Sequence, residues 1–107
     1  MREVKLSETY KRNKQALSNG DAYLDRAFYG AVSTSSQVPL EGEKGKLVWK
    51  DTAVTNVKIL AVMDHRDLNE VKRYLIYCNV TDHVLEVLDV VRRSETLWDE
   101  EVQESPP

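Results

Sequence analysis

The chain has 107 residues and a mass of 12.3 kDa, enough for one compact domain and no second core. Fifteen Lys and Arg stand against eighteen Asp and Glu for a net charge of −3, and 41% of the residues are hydrophobic, which excludes wholesale disorder. No apolar run approaches the roughly 20 residues of a membrane-spanning helix, and the single cysteine, Cys78, excludes an intrachain disulfide, so a cytoplasmic setting without membrane contact is expected.

Near the N-terminus Val4, Lys5 and Leu6 alternate in polarity, as in a short strand. Ser7 is placed to cap a helix whose first turn carries Glu8. That helix displays Lys11, Arg12 and Lys14, has only Tyr10, Ala16 and Leu17 to bury, and ends at Asn19 and Gly20. Asp21 caps a second helix, in which Leu24, Ala27, Phe28 and Ala31 recur at i, i+3, i+4 and i+7. Residues 33–39, rich in serine and closing on Pro39, read as a linker.

From Leu47 onward Val, Ile, Thr, Tyr and Trp accumulate and the period falls towards two. Leu47 and Trp49 share one strand face. Val57, Ile59, Ala61 and Met63 share another, while Leu60 and Val62 make that run apolar on both sides. Residues 64–69 form a polar turn, and 74–78 and 84–91 predict two strands joined around Thr81 and Asp82. Their near-continuous apolar content requires that the helices cover at least one face. The expected fold class is α+β: an N-terminal helical hairpin packed on a mainly antiparallel β-sheet, with residues 1–93 as a single domain and 94–107 as an acidic C-terminal tail.

The tail holds five acids and no base, which leaves 15 bases against 13 acids in residues 1–93. It reads as a solvated end or as a competitor for a basic groove. His65, His83 and Cys78 lack metal-ligand spacing, so no metal and no cofactor are expected. Gly42, Lys44, Gly45 and Lys46 lack the spacing of a phosphate loop and read as a turn. What remains is a set of cations on or beside the sheet: Lys44, Lys46, Lys50, Lys58, Arg73, Arg92 and Arg93. On counts alone these make a solvated sheet face. Arg92 and Arg93 nevertheless follow a strongly apolar strand directly, with Trp98 a few residues on. Arginine holds phosphate bidentately and an aromatic ring stacks on an unpaired base. Cleaving RNA without metal needs positive charge for the transition state and a group to activate the 2′-hydroxyl; the cations supply the first.

The order of parts — short strand, helical hairpin, the turn Val38, Pro39, Leu40, Glu41 and Gly42, then a sheet ending in strand, turn and strand with basic residues — resembles the RelE/ParE toxin superfamily. Residues 74–93, from Tyr74 through the Val/Leu-rich strand to Arg92 and Arg93, carry the resemblance most specifically. It implies a toxin that cuts mRNA at the ribosome, or one that inhibits DNA gyrase, held in check by a small antitoxin protein. Carried over by position, it implies catalytic roles for Arg73 and Arg92, and nucleic-acid contacts from Lys46, Lys50, Arg93 and Trp98. Trp98 has no titratable group, so its implied role is stacking. The segment 54–69 is longer than the family's usual connection and reads as an extended hairpin. The alternative function is a non-enzymatic interaction or inhibitor protein, of viral or mobile-element type, that binds a host protein through an exposed strand or the acidic tail.

Overall fold

The computed structural model describes residues 1–39 and 44–93, and the elements run β1 (Glu3–Leu6), α1 (Glu8–Ser18), α2 (Ala22–Gln37), β2 (Gly45–Trp49), β3 (Thr52–Asp64), β4 (Lys72–Val80) and β5 (Val84–Arg93). Trp98, the rest of 94–107, and Leu40, Glu41 and Gly42 lie outside the described residues. The fold is α+β, and the described residues form two helices and a five-stranded mixed sheet of order β1-β5-β4-β3-β2. Only β1 and β5 pair in parallel; the other three pairings are antiparallel.

Both helix starts form as their sequences dictate. The Ser7 hydroxyl accepts from the Tyr10 amide at 3.0 Å and donates to the Leu88 carbonyl at 2.6 Å, so one side chain caps α1 and ties it to β5. Asn19 takes the left-handed conformation (φ 44°), and its amide donates to the Gln15 carbonyl to close the helix. The Asp21 carboxylate accepts from the amides of Tyr23 and Leu24.

Residues 33–37 are not a linker but the last turns of α2. Serine content suggested a break because the hydroxyl competes for backbone hydrogen bonds. Here that competition is local and compatible with the helix: the Ser36 hydroxyl donates to the Ser33 carbonyl, and Ser35 and Ser36 are buried where only small side chains pack. Arg2 then finishes the helix end by donating from its guanidinium to the carbonyls of Ser35 and Val38. The N-terminal segment therefore supplies the C-terminal cap that the local sequence lacks.

One face of the sheet carries the core. Leu24, Phe28 and Val32 from α2 and Tyr10 from α1 pack on Val62, Tyr74, Ile76, Cys78, Val80, Leu85, Val87 and Val90. Phe28 is fully buried and meets Tyr74 edge to face, with ring centroids 5.3 Å apart. Burial pushes the Tyr10 phenol up to about 12 and the Cys78 thiol up to about 12. Cys78 is thus a core side chain.

The extended hairpin expected over 54–69 is instead one 13-residue strand, β3, whose two halves have different partners. Val57 through Asp64 pair with β4, and Thr52 through Val57 pair with β2. Residues 52–56 thus run beyond the end of β4, and with β2 they project as a two-stranded arm of about 17 Å at the rise of a strand. Lys50 and Asp51 both have positive φ (52° and 61°), as a two-residue turn of primed type needs. Asn56 (φ 56°) lies where the β2–β3 register slips by one residue.

Candidate functional site

Strand alternation and pairing register assign each side chain of the sheet to a face. Lys58, Leu60, Val62 and Asp64 of β3 share the helix-covered face with Cys78, Ile76, Tyr74 and Lys72 of β4, their cross-strand partners. Arg92 stands opposite Tyr74 and so belongs to that face, at its open end. The other face carries Val57, Ile59, Ala61 and Met63 opposite Asn79, Tyr77, Leu75 and Arg73. It continues onto β5 with Val91 opposite Leu75 and Arg93 opposite Arg73. After the slip at Asn56, Leu47 and Val54 form a further cross-strand pair on the arm, with Trp49 opposite Thr52 beside them.

The structure does not gather the implied nucleic-acid and catalytic residues. Lys50 sits in the turn at the arm's tip, its ammonium 4.9 Å from the centre of the Trp49 ring. Arg73 sits opposite Met63, eleven residues along β3 from Thr52, which is about 36 Å at strand rise. Lys46 lies on the arm beside the slip, about 20 Å from Arg73 by the same measure. Arg92 lies on the opposite face from Arg73 and is ion-paired with Glu70. Among the described residues of the implied set, Arg73 and Arg93 come together as a directly opposed pair on β4 and β5. Arg73 Nε also approaches the Met63 sulfur at 3.4 Å. Arg73 and Arg93 make further interactions within the molecule.

What distinguishes the second face is its apolar content. An antiparallel sheet with one solvated face normally shows polar residues there. The β3 positions on this face are instead Val57, Ile59, Ala61 and Met63, all apolar, and Leu75 and Val91 extend the strip across β4 and β5. Ile59 is 47% exposed, while Val57 and Leu75 are 5% and 4% exposed, and neither belongs to the cluster packed under the helices. Ala61, exposed between Ile59 and Met63 and opposite Leu75, is the smallest residue of the strip. At one end of the strip stands the Arg73–Arg93 pair. The face is thus apolar along β3, with two guanidinium groups at one end.

Sequence reasoning passed over this strip. Its signal lies in the sequence, where Val57, Ile59, Ala61 and Met63 are apolar at one parity and Leu60 and Val62 at the other, but alternation alone does not say which face the helices cover.

The exposed strand expected to take a partner fares differently. β1 is an edge strand of four residues, and its outer side is partly closed: the Arg2 amide donates to the Ser36 carbonyl, so the end of α2 covers the strand's start. The Glu3 amide donates to His83 just before β5 and the Ser7 amide to Val87 within it, which leaves the intervening positions Val4 and Leu6 with outward backbone. A cavity of about 380 Å³ adjoins them, lined by Val4, Leu6, Tyr10, Tyr29 and Val32 among others. Two free backbone positions do not register an added strand.

A separate ionic cluster holds the β3–β4 loop to the helices. Asp64, 3% exposed, accepts from the Arg66 amide, from its Nε at 3.0 Å and from a terminal nitrogen at 2.9 Å. Arg66 also reaches Asp21 at 2.6 Å and lies 4.1 Å over the Tyr23 ring. These donations from Arg66 hold the Asp64 carboxyl down at about 2, and Asp21 is lowered by the same guanidinium. Every charge in the cluster is answered, which marks it as structural. Among the described residues no group of three potential ligands is arranged to hold a metal ion, and no helix is long and apolar enough to cross a membrane. No protein-family model, curated protein or solved structure matches the chain, so the reading of this surface rests on its own chemistry.

Proposed function

We propose that this chain is a non-enzymatic interaction protein that takes a partner protein on the sheet face left bare by the helices. The observation that supports this most directly is the row Val57, Ile59, Ala61 and Met63, apolar at outward positions of a strand whose Leu60 and Val62 face the core. Within that row Ile59 and Ala61 are exposed and Met63 is half-buried, and exposed apolar surface rimmed by charge is the usual mark of a docking site. The rim here is the Arg73–Arg93 pair, so the partner segment is apolar with carboxylates at one end. Site-specific photocrosslinking tests this. A benzophenone side chain at Ile59 should give a discrete adduct with a protein that rebinds in purified form, and the same group at Arg12 on α1 should not. Equal labelling from both positions would end the proposal.

One observation favours a second reading. Two guanidinium groups on facing positions can hold a phosphate between them, as a RelE/ParE-type toxin acting on mRNA at the ribosome would require. On that reading the catalytic charge comes from Arg73 with Arg93, Arg92 remains with Glu70, and the protein partner is a small antitoxin. Expression should then arrest growth, and Arg73→Ala should relieve the arrest with the protein still folded. Unimpeded growth with the unaltered chain removes this reading.

A further inference from the structure

The helix layer stops short of β1. Val4 and Leu6 stand in register with Leu85 and Val87, which are fully buried under the helices, so they belong to the helix-covered face; yet they are 38% and 42% exposed. From α2, Tyr29, Val32, Ser33 and Ser36 recur at i, i+3, i+4 and i+7 and turn one stripe of that helix towards β1. From α1 come Tyr10 and Lys14, one turn apart on the same face. Between the three elements lies the cavity of about 380 Å³.

We propose that this cavity binds a medium-chain fatty acid, its carboxylate held by Tyr10 and Lys14 and its tail laid along Val4, Leu6, Tyr29 and Val32. The site is independent of the docking role, since it lies on the other side of the sheet from Ile59 and Ala61.

Size and lining suit such a ligand. The volume falls within the roughly 300–1,000 Å³ of small-molecule sites, which are likewise mainly apolar with a few placed polar groups. The Ser36 hydroxyl donates to the Ser33 carbonyl, so it asks nothing of an occupant. The polar end is set by Tyr10. This residue is 2% exposed, and its hydroxyl makes no hydrogen bond among the described residues. Nor is that oxygen one of their sealed unpartnered atoms, so it borders the cavity that Tyr10 lines. A buried phenol normally finds a partner, and burial keeps this one protonated, as a donor.

The charges point the same way. The Lys14 ammonium lies 3.6 Å from Asp25, too long for a hydrogen bond, so its donors are open to a carboxylate. The other charged side chain of the wall is Arg2, so both charges there are positive, and among the described residues neither Asp nor Glu lines the space. An apolar cavity with a neutral donor and a cation at one end takes an alkyl carboxylate and rejects an alkylammonium ion.

Titration calorimetry of the full chain with octanoate tests this. Octanoate should fill one saturable site, with octanol at least about tenfold weaker for want of the charge and octylammonium not bound. Tyr10→Phe, which keeps the ring in the core, should weaken octanoate about three- to tenfold, and Lys14→Gln should bring its affinity down towards that of octanol. Leu6→Glu and Val4→Glu each place a carboxylate at the exposed edge of the cavity and should abolish binding while circular dichroism stays unchanged. Ile59→Glu, on the other face of the sheet, should leave binding unaltered. The absence of saturable binding up to millimolar octanoate overturns the inference, as does equal affinity for octanol. Binding that Leu6→Glu leaves unmoved, or that Ile59→Glu removes, overturns it as well. So does self-association of the chain that Leu6→Glu abolishes, which would seat a second copy in the cavity.

Discussion

Replacing Asp64 by asparagine removes the charge on which the Arg66 cluster is built while keeping the side chain's shape. Arg66 donates to Asp64 from its amide, Nε and a terminal nitrogen, and these bonds hold the carboxyl at about 2 against an ordinary 3.8. That difference corresponds to roughly 2 kcal/mol of folding free energy at neutral pH. The Arg66 side chain is 45% exposed, so solvent screening brings the expected loss to about 1–2 kcal/mol. In a domain of this size that lowers the melting temperature by about 5–10 °C. The sign with pH follows from the direction of the shift. Asp64 is depressed in the folded state, so its contribution is complete above 3.8 and is lost as the pH falls through about 2. Urea unfolding of the parent chain and of Asp64→Asn across pH 2–7 measures both quantities. The two stability curves should lie apart at pH 7 and approach each other at pH 2. Parallel curves over that range would show that Asp64 is not held by Arg66 in solution.

Three other consequences are open to direct measurement. Phe28→Ala empties the fully buried site against Tyr74 and should cost about 3–5 kcal/mol in denaturant unfolding; a loss below about 1 kcal/mol would contradict the packing described. Burial holds the Cys78 thiol near 12, so the native protein at pH 8 should react with a thiol reagent only as fast as it opens, and immediate stoichiometric labelling would place Cys78 elsewhere. Asp51→Gly relieves a positive φ at the arm's tip and should stabilise the chain by about 0.5–1 kcal/mol, visible as a raised urea midpoint, whereas destabilisation would mean a different turn.

Much of this fold can be read from local pattern. Ser7 and Asp21 cap helices because a short oxygen-bearing side chain before a periodic run satisfies the free amides, and both do so here. The alternation of Val57, Ile59, Ala61 and Met63 against Leu60 and Val62 places each set on its own face. The end of α2 is not legible locally because its cap comes from Arg2, 33 residues upstream of Ser35, and no window around the serines contains it. The two-partner course of β3 was hidden for a similar reason. A long β-rich stretch looks the same whether one neighbour or two pair with it, and the slip at Asn56 is a matter of register.

The cations show the limit most clearly. Their spacing in sequence says nothing about distance along a sheet that includes a strand 13 residues long. Lys50 is carried to the tip of an arm, Arg92 is turned to the helix side beside Glu70, and Arg73 and Arg93 meet on the other side. Element type, caps and side-chain parity belong to each segment alone, because dihedral preference and hydrogen-bond capping act over a few residues. Which parity the helices cover depends on how α2 crosses the sheet and on β5 lying between β1 and β4. Those are outcomes of long-range packing, and they left one apolar face of this sheet without a helix.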